Sequence, residues 1–120
     1  MRRFAIVLAL LLPLALPAAA YAHAHLDHAT PPAGSSQATA PSEVVLSFTQ
    51  DLEPAFCAIE VRNEAGDLVS SGKAQADGKL RTQLRVPLQP LPPGTYKVIW
   101  RVLSVDTHRS QGDFTFRVGP

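Results

Sequence analysis

Sulfur is nearly absent from this chain of 120 residues. Cys57 is its one cysteine, which excludes an internal disulfide framework and leaves the fold to rely on packing. Met1 is its one methionine, so the body of the chain has no thioether donors. Charge of one sign is lacking too: eleven Lys and Arg stand against ten Asp and Glu, without the basic surplus that marks nucleic-acid binding. No segment sustains a helical period, and no repeat or low-complexity tract is present. Only one long apolar run occurs, at the start, so the rest of the chain is expected to be soluble.

That run belongs to an export signal. Arg2 and Arg3 precede apolar residues from Phe4 to Leu16, and small residues lead to Ala20-Tyr21-Ala22. The run falls short of the roughly 20 residues that span a bilayer and is interrupted by Pro13 and Pro17, which argues against a membrane anchor. Removal of residues 1–22 makes His23 the first mature residue, whereas a cut after Ala18-Ala19-Ala20 leaves Tyr21 first. The Arg-led, Ala-rich signal points to a bacterial periplasm by the general secretory route. Residues 23–120 are then expected to form a single domain with nine basic and ten acidic side chains.

Alternation indicates what that domain is made of. Val44, Leu46 and Phe48 share one face of a short run; Cys57, Ile59 and Val61 share one face of the next. Leu84 and Val86, the long row Tyr96, Val98, Trp100 and Val102, and the closing row Phe114, Phe116 and Val118 repeat the pattern. Turn chemistry separates them at Asn63-Glu64-Ala65-Gly66, Ala76-Asp77-Gly78 and Pro92-Pro93-Gly94. Residues 27–42, rich in Pro, Ala, Ser and Thr, are expected to form one extended leading strand with bends at Pro31-Pro32 and Pro41. The whole predicts an all-β, immunoglobulin-like Greek-key antiparallel β-sandwich.

Chemistry concentrates in few residues. A terminal His23 would offer a free amine and an imidazole to one metal ion. Asp106 and His108 lie just beyond the row ending at Val102, and a spacing of two sets both side chains on one face if the chain stays extended there. An amine, two imidazoles and a carboxylate suit copper(II), which favours nitrogen-rich tetragonal sites; zinc accepts similar donors. Taken alone, Asp106-Thr107-His108 is a weak pattern and reads better as a polar loop capping a strand end.

Longer stretches carry more information. His23-Ala24-His25-Leu26, Pro41 to Phe48, and above all Pro93 to Val102 followed by Val105-Asp106-Thr107-His108 and Gly112-Asp113-Phe114-Thr115-Phe116 resemble the periplasmic copper-resistance CopC family over the whole mature length. The resemblance implies a β-sandwich that binds one copper(II) ion per chain through His23, Asp106 and His108, with no catalytic role. It also implies a partner, an inner-membrane copper-transport protein of the CopD type. Some relatives carry a methionine-rich loop for copper(I), which prefers soft thioether sulfur. The stretch from Asn63 to Leu80 has none here, so a copper(II)-only type is expected. Gln50 stands where some relatives have a carboxylate and is left out of the ligand set.

The remaining candidates compete with that site or stand outside it. A free amine followed two residues later by His25 can wrap copper(II) with two deprotonated backbone amides, a mode that needs no fold. His28 is expected on the surface, Cys57 as a small apolar residue and Trp100 in the core. Two other classes remain: a copper-dependent oxidative enzyme of the histidine-brace type, and a metal-free adhesive sandwich. The small size and the extra ligand Asp106 weigh against the first.

Overall fold

The computed structural model describes residues 24–120; the expected signal segment, residues 1–22, and His23 lie outside the described residues. Alternation of buried side chains with half-buried or exposed ones makes the main strands, as in β3 and β7 below. Eight strands follow in order: β1 (Leu26–Thr30), β2 (Ser36–Gln37), β3 (Glu43–Phe48), β4 (Ala58–Arg62), β5 (Gln75–Asp77), β6 (Leu80–Pro87), β7 (Gly94–Leu103) and β8 (Arg109–Val118). They form two four-stranded sheets, β1-β3-β6-β5 and β2-β8-β7-β4. The expected sandwich is present, with one short parallel pair, β2 beside β8, in an otherwise antiparallel arrangement.

The core lies between the sheets and is built from the rows read in the sequence. Val44 and Leu46 face Val86 and Leu84 across the β3–β6 ladder. Val61 and Ile59 face Val98 and Trp100 across β4–β7. All eight are buried and belong to one cluster. Full burial of such an aliphatic side chain contributes about 1.5–3 kcal/mol, so these facing pairs set the register of both sheets.

Two aromatic arrangements fix the ends of β7. The Tyr96 hydroxyl donates to the carbonyl of Pro92, and its ring stacks on Phe116 at 5.6 Å. That bond ties the turn before β7 to the sheet, the role a tyrosine corner has in immunoglobulin-like sandwiches. Trp100 meets Phe48 edge-on at 5.2 Å and lies over Gly112, its partner in the β7–β8 ladder. A Cβ on Gly112 would stand 2.5 Å from the Trp100 ring, so only glycine admits the indole there.

Two expectations need correction, at residues 27–42 and beyond Val102. Residues 27–42 do not form one strand: β1 joins one sheet and β2 the other, and a turn between them lets the chain change sheets. Gly34, at φ 74°, supplies the left-handed residue of that turn, and its N–H donates to the Thr115 carbonyl at 2.7 Å. Cys57 stands one residue ahead of β4 and packs, half-buried, against the core cluster that holds Ile59 and Val61. It also closes a 3-10 turn at Pro54–Phe56, where proline presets φ and the Phe56 N–H donates to the Glu53 carbonyl. The segment beyond Val102 is not extended, as described next.

Candidate metal centre

Strands β7 and β8 are joined by a tight hairpin at one end of the sandwich. The Ser104 N–H donates to the His108 carbonyl at 3.0 Å, and the Thr107 N–H donates to the Ser104 carbonyl at 2.9 Å. Val105, Asp106 and Thr107 therefore form a three-residue loop, the kind that ends in a left-handed residue. Thr107 takes that position at φ 70°, which glycine or asparagine usually fills. Extension does not bring Asp106 and His108 together; the turn does. Asp106 Oδ1 and His108 Nδ1 lie 3.3 Å apart, with the two side chains 42% and 45% exposed.

Buried groups beneath the loop hold this pair. Ser104 is fully buried, continues the inward row of β7 past Val102, and donates its hydroxyl to Asp106 Oδ1. That bond, seconded by His108, holds the Asp106 carboxyl below the usual carboxylate range, against an opposing effect of partial desolvation. The loop is braced by the segment after β3, where the Asp51 carbonyl accepts from the Val105 N–H at 3.0 Å. An ionised oxygen and an imidazole nitrogen thus face solvent from a rigid support. Two ligands at right angles on one ion, with bonds of about 2.0–2.1 Å, stand roughly 2.9 Å apart. A separation of 3.3 Å is close to that, so Asp106 and His108 fit a shared metal ion with small side-chain adjustment.

Two such groups do not enclose an ion by themselves. Among the described residues, no group of three or more His, Cys, Asp and Glu is arranged to hold a metal. The first described residues, however, are docked next to β8 just beyond the pair. Ser110, two residues after His108, donates its hydroxyl to the Ala24 carbonyl at 2.7 Å, and Ala24 is fully buried in the core cluster. His25 pairs with Thr49 through both backbone groups: its N–H donates to Thr49 Oγ1 at 3.0 Å, and its carbonyl accepts from the Thr49 N–H at 2.9 Å. The His25 side chain is exposed, as is His28 on β1.

Comparison with known proteins gives the pair its context. The CopC domain family matches residues 26–119. The chain belongs to the CopC family. It is 36% identical to Protein YobA of Escherichia coli over 82% of this chain and 80% of that one. It is 35% identical to Copper resistance protein C of Pseudomonas syringae pv. tomato over 84% of each. The crystal structure of CopC from Methylosinus trichosporium OB3b superposes with a TM-score of 0.77 at 34% identity, covering 82% of this chain and 95% of that one. A copper-related function follows for this CopC-family chain.

The other sequence candidates have separate surroundings. Cys57 is half-buried; its thiol donates to the Glu53 carbonyl at 3.2 Å, and its sulfur accepts from the Leu103 N–H at 3.4 Å. Burial pushes the thiol pKa up, so it stays protonated and a poor ligand. Trp100 is core, 8% exposed. Gln50 is half-buried just after β3. Sequence reasoning missed Ser104, Ser110 and Thr49. The two serines did carry a signal, since each occupies an inward position of a row that is otherwise apolar or glycine.

Proposed function

We propose that this CopC-family chain is exported to the periplasm, cleaved before His23, and there binds one copper(II) ion as a carrier or buffer, without catalysis. The observation that carries this reading is the Ser110–Ala24 hydrogen bond, because it anchors the residue next to His23 beside the Asp106–His108 pair. A peptide unit sets consecutive Cα atoms about 3.8 Å apart, so a terminal amine and imidazole on His23 have a short reach to the pair. The resulting donors, amine, two imidazoles and carboxylate, form the nitrogen-rich set that copper(II) favours. Asp106 beside His108 supports a closed holding site over an oxygen-activating one, which needs an open position. With no methionine after Met1, copper(I) has no thioether site.

An inner-membrane copper-transport protein of the CopD type is the proposed recipient or source. The hairpin end offers it a contact surface: Val105 on the loop is 44% exposed, and Phe56, on the 3-10 turn packed against β7, is 65% exposed. The test is intact mass of the exported protein followed by titration with both oxidation states. A chain starting at His23 that takes up one copper(II) and negligible copper(I) is expected. A mass beginning at another residue, or strong copper(I) uptake against a competing chelator, overturns the reading.

A further inference from the structure

Two incompatible copper(II) geometries compete for the same chain start. In one, the terminal amine and imidazole of His23 join Asp106 and His108. In the other, the amine of His23, the backbone amide nitrogens of Ala24 and His25, and the His25 imidazole surround the ion in a plane, and the two amide protons pass to buffer. We infer that Ser110 and Thr49 are the residues that select the first geometry by holding the backbone of Ala24 and His25 in hydrogen bonds the second cannot keep. The inference rests on the proposal that His23 is the mature terminus.

The second geometry is blocked at two points. Its plane requires the His25 amide nitrogen to give up its proton, yet that N–H is engaged with Thr49 Oγ1 at 3.0 Å. It also requires copper to approach the backbone at Ala24, which has no exposed surface and whose carbonyl accepts from Ser110 Oγ at 2.7 Å. Wrapping the ion would pull Ala24 out of the core and leave the half-buried Ser110 hydroxyl without that acceptor. The ladder explains why Ser110 stands there. It faces Val102 across β7–β8, in the inward row continued by Gly112, Phe114, Phe116 and Val118. A hydroxyl in such a row needs a partner, and Ala24 provides it. Ser110 and Thr49 are positioning residues: they act on copper through the backbone.

The experiment uses mature protein beginning at His23, one equivalent of copper(II), fixed neutral pH, and electron paramagnetic resonance with visible absorption. A synthetic peptide of residues 23–26 gives the reference spectrum of the planar mode. Wild type is expected to differ from the peptide. Ser110→Ala, and more so Ser110→Ala with Thr49→Val, should acquire a component matching the peptide, with a several-fold loss of the wild-type component. Adding His25→Ala should remove the new component, and Ser110→Thr, which keeps the hydroxyl, should restore the wild-type spectrum. Should Ser110→Ala fail to fold by circular dichroism, Thr49→Val alone, on an exposed residue, carries the test. Folded variants that keep the unmixed wild-type spectrum overturn the inference. A wild-type spectrum already matching the peptide instead defeats the folded-site proposal beneath it, so the two failures are told apart.

Discussion

The hydroxyl of Ser104, buried at the end of β7, donates to the carboxylate of Asp106, exposed on the loop above it. The contact links the last inward position of the sandwich to one of the two proposed donors. It fixes where that carboxylate points and favours its ionised form.

Ser104→Ala should therefore raise the Asp106 carboxyl pKa toward its ordinary value, measured by NMR titration of the metal-free protein. The sign for stability follows from linkage. A carboxyl whose pKa is lowered by folding stabilises the fold above its unfolded pKa, near 3.9, and that contribution disappears as pH falls through the folded value. The part of the stability gap between wild type and Ser104→Ala that comes from Asp106 should thus be present at neutral pH and shrink below about pH 4. Copper(II) affinity should drop by roughly tenfold to a hundredfold, the range for lost support of a ligand. An unchanged Asp106 titration would show that the hydroxyl does not control the carboxylate.

Thr107 sits between the two donors in a backbone conformation that costs an ordinary residue about 1–2 kcal/mol, and a β-branched one is least suited to it. Asparagine tolerates the left-handed region. Thr107→Asn should raise stability by about 1 kcal/mol in urea unfolding while leaving the hairpin intact. A destabilised variant would mean that the Thr107 hydroxyl, which donates to the Asp106 carbonyl at 2.6 Å, outweighs the strain.

Gly112→Ala tests the packing of Trp100. The new methyl would fall 2.5 Å from the indole, which has Phe48 on its other contact and little room to retreat. Overpacking of this kind costs typically 1–3 kcal/mol, so the urea midpoint should fall with an unchanged slope. Wild-type stability would show that the ring shifts freely.

Much of this was legible in the sequence because burial imposes a period of two on every long strand. The rows at Val44–Phe48, Tyr96–Val102 and Phe114–Val118 could be read from side chains alone. The short strands could not: β2 and β5 have two and three residues, too few to display a period. Asp106 and His108 were legible as a pair, but for the wrong reason. A spacing of two suggested an extended chain, whereas a three-residue loop with a left-handed threonine brings them together. Nothing local marks Thr107 for that conformation; the ladder on both sides, running from Gly94–Val118 to Leu103–Arg109, imposes it. The docking of Ala24 was invisible as well, since it depends on β8 meeting a segment 86 residues away in sequence.

The proposed copper donors can be separated by three single substitutions that leave His23 in place. His108→Ala removes one imidazole from the folded site and keeps His23-Ala24-His25 whole; His25→Ala does the reverse. Because His25 is exposed while its backbone is paired with Thr49, its imidazole is not needed by the folded site. His108→Ala should therefore weaken copper(II) binding by more than roughly a hundredfold, beyond the cost of supporting residues, and change the electron paramagnetic resonance spectrum. His25→Ala should do much less. Asp106→Ala should fall between them, since one oxygen donor goes while the amine and both imidazoles stay, and its spectrum should shift toward a more nitrogen-dominated field. Affinity measured by competition with a copper(II) chelator and spectra of all three variants decide the matter. A wild-type spectrum and undiminished affinity in His108→Ala would move the ion onto the terminal peptide and reduce the Asp106–His108 pair to a surface contact on a loop.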